Sequence, residues 1–403
     1  MSSTKVIVAG AGIAGPVLSI FLKRNGYDPI LCERTEGVSD AGLSLCLQPN
    51  GLSVLAKIPG LVESLVGGSI EKRVFYSVLP EDKGILGESD IAKQLQEEHG
   101  VGIVLGVRRT VFHQALVEAA QKAGVQIKWG HKLVSLDQHD ESVTVKFENG
   151  VEETASFVIG CDGLHSNTRI CLFGDEKADF TGLVQTGGIY AIPQSKNAPN
   201  SRMIDIFGNG THMISYPIND KQCVWVATRR EPEAKETWRA MGIDNAEEFK
   251  KSSLYVEWDY GGGEMVKSTD ASVIIKYGLY DRPELKRWHK QRVCLLGDAA
   301  HPTSPHLGQG ANQAFEDIDI LISLLAKYNP IPHSPPTQVL ENIFSELEKA
   351  RIPRSSDLVK KARLQGESRV TEGVEACIKR NNTYRDICKD QESVGRFNVG
   401  QRQ

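Results

Sequence analysis

The stretch Lys5-Val-Ile-Val-Ala-Gly10-Ala-Gly12-Ile-Ala-Gly15 admits few folds. Val6 to Ala9 is apolar throughout and reads as a buried parallel strand. Pro16 to Asn25 reads as a helix, with Val17, Leu18, Phe21 and Leu22 on one face and Gly26 as its stop. A second apolar run, Pro29 to Cys32, ends at Glu33. The unit is βαβ with a G-x-G-x-x-G turn. Gly10 allows the tight turn, Gly12 lets the backbone approach a pyrophosphate, and Gly15 lets helix and strand pack closely. The helix N-terminus offers free N–H groups and a positive dipole end to that anion, and Ala14 just before it joins the cofactor-binding candidates. Glu33 stands where a carboxylate accepts hydrogen bonds from ribose hydroxyls. The turn alone leaves NAD(P) and FAD both open.

Composition removes several function classes. The chain has 403 residues, enough for two or three domains, and 47 basic against 51 acidic residues, a net charge of −4. No basic stripe points to nucleic acid or to an anionic membrane. No apolar run approaches the roughly 20 residues of a membrane span, so stable membrane insertion is not expected. The eight cysteines show no C-x-x-C and no metal-type spacing. With a strand beginning at once and no targeting segment in view, reduced thiols in a cytoplasmic protein, monomer or homodimer, are expected.

Two later strands also end in an acidic turn. Ala155 to Gly160 leads into Cys161-Asp162-Gly163, and Arg292 to Leu296 into Gly297-Asp298. In doubly wound sheets ligands sit beyond the carboxyl ends of strands, so three distant segments converge on one extended cofactor. An NAD dehydrogenase needs only the first. From Gly182 to Lys276 short alternating runs replace the α/β pattern, a second, sheet-rich domain. The boundaries expected are 1–73, 101–181 and 286–330 for the nucleotide-binding domain. Residues 74–100 and 182–285 form the sheet-rich domain, and 331–403 a helical C-terminal region. Within that region, Val339 to Ala350 and Asp357 to Ala362 read as separate helices.

These segments together resemble the single-component FAD-dependent aromatic hydroxylases of the para-hydroxybenzoate and salicylate hydroxylase type. The resemblance rests on four pieces: the glycine turn with Glu33-Arg34; Arg109 opening a helix; Cys161-Asp-Gly-Leu-His-Ser166-Asn-Thr-Arg169; and Gly297-Asp-Ala-Ala-His-Pro302-Thr-Ser-Pro305-His-Leu-Gly308-Gln-Gly310-Ala-Asn312-Gln-Ala-Phe-Glu316-Asp317. It implies an α/β fold: a Rossmann-like, glutathione-reductase-type FAD-binding domain, a β-sheet-rich substrate domain and C-terminal helices. It implies that Glu33 holds the adenosine ribose, with Arg34 and Gly42 close by. Arg109 is then expected near the pyrophosphate and ribitol, Asp162 in both FAD and NAD(P)H binding, and Asp298 on a ribitol hydroxyl. Gly308, Gly310, Ala311 and Asn312 are expected along the flavin pyrimidine edge. There a helix N-terminus stabilises an anionic reduced flavin by ~1–2 kcal/mol. His301 reads as structural.

The implied reaction is hydroxylation of a small phenolic acid, with or without decarboxylation. NADPH or NADH is the transient reductant, O₂ the cosubstrate, and a flavin C4a-hydroperoxide the oxygen donor. The alternatives are attack on a larger polyketide, terpenoid or antibiotic and, more remotely, a non-catalytic FAD-binding redox sensor. On the strand Thr211 to Pro217, His212, Ile214 and Tyr216 share a face, imidazole and phenol ~13 Å apart. Family members carry a His and a Tyr at this spacing against the substrate hydroxyl, which makes His212 and Tyr216 the catalytic candidates. Gln48, Tyr190 and Arg202 are weaker substrate contacts, as are Pro305 and His306 near the expected oxygen-reaction face.

Overall fold

The computed structural model describes residues 4–38, 40–93, 103–192, 201–234 and 240–389. Two large sheets organise it. The first has six strands in the order His289–Lys290, Val293–Leu295, Phe157–Gly160, Lys5–Ala9, Asp28–Cys32 and Gln126–Lys128, parallel except for the first pair. Its inner strands are apolar apart from Lys5 and Asp28 at their starts, and they share one core with the helix Ala14–Arg24 and with Val143, Val145, Phe147 and Ala155 of a small three-stranded sheet. Lys5–Ala9 lies between Phe157–Gly160 and Asp28–Cys32. The three glycine- and aspartate-bearing turns therefore leave one edge of the sheet together.

The second sheet has seven strands, in the order Ile275–Asp281, Asp179–Ala191, Gln222–Arg230, Thr211–Pro217, Arg202–Phe207, Lys72–Ser77 and Gly84–Asp90. It is antiparallel except where Arg202–Phe207 runs parallel to Lys72–Ser77. Two early strands thus extend a sheet whose other members come after residue 178. Residues 94–100 of the expected early excursion lie outside the described residues.

The C-terminal region differs from expectation. The two short helices are one, Thr337–Arg369, with Pro353 inside it. A proline removes a helical hydrogen bond and would favour a break. Here Arg351 and Arg354, on either side of it, are fixed to the helix Gly310–Tyr328. Arg351 Nε reaches Asp317 Oδ1 at 2.6 Å, and Arg354 Nε reaches Glu316 Oε2 at 2.7 Å. Tertiary ion pairs on both sides hold the helix through the proline. Its far end brings Arg369 to the second sheet.

Candidate active site

One cavity of about 1580 Å³ runs between the two sheets. Single small-ligand pockets occupy roughly 300–1,000 Å³, so this volume suits an extended cofactor and a second small molecule together. Of the residues expected at the cofactor, Arg34, Gly42, Arg109, Asp162, Asp298, Gly308, Gly310 and Ala311 line it.

The glycine turn is built as its spacing implies. A Cβ on Gly10, whose φ is +99°, would lie 2.5 Å from the Cys161 carbonyl oxygen, and one on Gly15 would lie 1.9 Å from that of Gly10. A Cβ on Gly12 would meet nothing within 4 Å. Gly10 and Gly15 serve protein packing; Gly12 faces open space where a phosphate fits. Glu33 Oε2 accepts from the Ala11 N–H at 2.8 Å, and the Ala11 carbonyl lies 2.6 Å from His113 Nε2. The loop is held from both sides. A Cβ on Gly310 would meet only the tips of Asp298 and Thr303, at 3.7 Å, so the start of that helix is open as well. These open cradles fit a bound FAD.

Asn312 and Asp162, both expected on the cofactor side, also make bonds within the protein. Asn312 is buried and does not line the cavity; its Oδ1 accepts from the Gln48 N–H, and its Nδ2 donates to the carbonyls of Cys46 and Gly308. It ties the cavity walls together. Asp162 accepts from Thr168 N–H and Oγ1, both at 2.9 Å, at the start of the helix Asn167–Phe173. Burial raises its pKa despite these bonds. His301 is structural: its Nε2 sits 2.7 Å from Asp317 Oδ2, inside the Arg351 ion-pair group.

On the substrate side, Met203, Ile214, Val226, Ile275 and Tyr277 form an apolar wall. Tyr216 joins it, its hydroxyl 2.7 Å from Ser44 Oγ, and burial pushes its pKa up. Cys46 also lines the cavity, its thiol pushed up to about 12 by burial and so neutral. Gln48, Pro305 and His306 are wall residues, Gln48 Nε2 donating to the Leu307 carbonyl at 2.8 Å.

His212 is not in the wall. Alternation puts it on the cavity face, but it lies beyond the end of the cavity, fully buried against Asp205 and the Phe207 ring. Burial first, then the nearby Arg369, brings its pKa down to about 3, against the pull of Asp205. Direct contact with the substrate is therefore corrected to a supporting position. Tyr190 bonds to Ser215 and packs on the opposite face of the sheet, and Arg202 does not line the cavity. The arginines that do line its substrate end are Arg73 and Arg369. Neither carries a sequence signal: Arg73 opens an ordinary strand and Arg369 ends a charged helix.

Three comparisons bear on this site. The FAD binding domain family matches residues 3–329. The 3-amino-4-hydroxybenzoate 2-monooxygenase of Streptomyces cremeus is 29% identical over 94% of this chain and 91% of its own. The 6-hydroxynicotinate 3-monooxygenase of Bordetella bronchiseptica is 26% identical over 87% and 90%. In fold, the chain is similar to Klebsiella pneumoniae HpxO, solved with FAD and uric acid, at a TM-score of 0.84 and 22% identity over 98% of this chain and 96% of that one.

Proposed function

We propose, from the premise that the chain belongs to the FAD binding domain family, that it is an NAD(P)H-consuming monooxygenase hydroxylating a small aromatic acid. The observation that carries the reading is a cavity that joins the turns at Asp162 and Asp298 to an apolar sheet face. The relatives acting on aminohydroxybenzoate and hydroxynicotinate support the substrate class. The eight cysteines are all free thiols, which supports a reducing, cytoplasmic setting.

FAD, when bound, would supply the redox chemistry of an NAD(P)H- and O₂-dependent hydroxylation. The chain's residues do the rest. Gly12 and the start of the helix Ala14–Arg24 receive the pyrophosphate, and Glu33 the ribose. Arg34, Gly42 and Arg109 would flank that half of the cofactor, Asp298 would take a ribitol hydroxyl, and Gly308, Gly310 and Ala311 would hold the ring edge. The free N–H groups there favour negative charge on the ring. Met203, Ile214 and Val226 exclude water. The Tyr216 hydroxyl, neutral and held by Ser44, accepts the hydrogen bond of the substrate phenol and fixes the ring's orientation.

A panel of hydroxybenzoates, salicylate, aminohydroxybenzoate and hydroxynicotinates tests this, scored by stimulated NAD(P)H oxidation and by a product 16 Da heavier or with CO₂ replaced by hydroxyl. Protein purified without yellow flavin, or holoenzyme that no aromatic acid stimulates, would sink the reading.

A further inference from the structure

At the substrate end of the cavity five polar side chains from five separate segments meet. Arg73 donates to Asp205 twice, Nε to Oδ2 at 2.7 Å and Nη2 to Oδ1 at 3.0 Å. His212 Nε2 approaches the same Oδ1 at 2.9 Å. Arg369 Nη2 stands 3.7 Å from that oxygen, outside hydrogen-bond range, and its Nη1 donates to His306 Nδ1 at 3.2 Å. Arg369 Nε has no partner among the described residues, although the residue is only 3% exposed.

The charges do not cancel. Burial lowers the pKa of both imidazoles, to about 3 for His212 and well below the ordinary value for His306, so both are neutral. Two guanidiniums then face one carboxylate. Asp205 already receives Arg73 and His212, so the uncompensated cation is Arg369, and burial lowers its pKa despite Asp205. A buried charge without a partner is costly, and a charge-assisted hydrogen bond to an anion relieves it. Arg369 lines the same cavity wall as Tyr216, Ile214 and Met203.

We propose that Arg369 is the receptor for the substrate's carboxylate. Arg73, Asp205 and His212 form its fixed base, and His306 holds the guanidinium from the other side. The ring would lie over Met203, Ile214 and Val226, with its hydroxyl toward Tyr216 and Ser44. This rests on the aromatic-acid reading above and makes the carboxylate a requirement of recognition. Gly366, one turn before Arg369, belongs to the same arrangement: a Cβ there would lie 2.6 Å from His306 Nε2.

Binding is read from flavin absorbance changes as FAD-loaded enzyme is titrated. The probes are 3-amino-4-hydroxybenzoate and 6-hydroxynicotinate, each beside its carboxamide. The wild-type protein is expected to prefer acid over amide by ~10- to 100-fold, the range of a charged hydrogen-bonded contact. Arg369→Gln should reduce that preference to about threefold or less by weakening the acid alone, while Arg369→Lys keeps part of it. Equal binding of acid and amide by the wild-type protein overturns the proposal without any variant. So does an Arg369→Gln holoenzyme that keeps the full preference. If Arg369→Gln does not fold, Arg369→Lys decides: an undiminished preference there counts against the guanidinium. Wild-type enzyme that hydroxylates an acid yet ignores the carboxylate overturns only this proposal; enzyme that no aromatic acid stimulates overturns the reading beneath it.

Discussion

His212 Nε2 and Asp205 Oδ1 lie 2.9 Å apart, and neither side chain has any exposure to solvent. The imidazole is neutral because burial and Arg369 outweigh the carboxylate. Burial would raise the Asp205 pKa, but Arg73 and His212 hold it well below the usual carboxylate range. The pair lies just beyond the cavity's end, bonded to Arg73, which lines it.

The first consequence is a pH dependence of stability. His212 titrates near 6.5 when unfolded and near 3 when folded, so the unfolded chain binds the extra proton between those values. Stability is full above pH 6.5 and falls as the pH drops through that window. From pH 7 to 5 this one group costs about 2 kcal/mol. Denaturant unfolding at both pH values should show a smaller loss in His212→Asn than in the wild-type protein. An equal loss would mean the imidazole titrates normally.

His212 should also be silent in the pH–rate profile. A group with a pKa near 3 places no limb between pH 5 and 8. His212→Asn is expected to lower kcat/KM through looser placement of Arg369 while leaving the profile's shape unchanged. Loss of an acidic limb near pH 6–7 in the variant would restore His212 as the base.

Tyr216→Phe keeps the ring in the wall and removes the hydroxyl bonded to Ser44. Turnover should fall by roughly 10- to 100-fold with FAD content unchanged, as for loss of a hydrogen bond that orients the ionising phenol. Stopped-flow measurement of the oxygenation phase separates this from a defect in flavin reduction; a defect confined to reduction would exclude the assigned role.

The glycine turn offers a contrast between neighbours. Gly12→Ala places its methyl in open space, so the apoprotein should melt like the wild-type protein yet bind FAD at least ~10-fold more weakly. Gly15→Ala drives a methyl against the Gly10 carbonyl and should lower the melting temperature itself. The two measurements are flavin absorbance per polypeptide and apoprotein thermal unfolding.

Arg351→Met should destabilise the protein by about 3–5 kcal/mol, since it leaves Asp317 and Glu316 buried with fewer partners. Denaturant midpoints measure this. A change under about 1 kcal/mol would show that the Arg351 ion pairs do not hold the helix Thr337–Arg369 in place.

The sequence by itself determined the nucleotide half of this protein. Gly10, Gly12 and Gly15 act through local backbone sterics, which travel with a short motif. Asp162 and Asp298 stand at strand ends that apolar runs mark without reference to the rest of the chain. Tertiary structure decided the substrate half. Period-two alternation correctly put His212 and Tyr216 on one face, but alternation carries no depth. Only the position of Phe207 and Asp205 on the neighbouring strand closes the cavity short of the imidazole. Arg73 and Arg369 are 296 residues apart in sequence and face one carboxylate. Electrostatic fields act through space, and no local periodicity records which distant charges a fold will bury together.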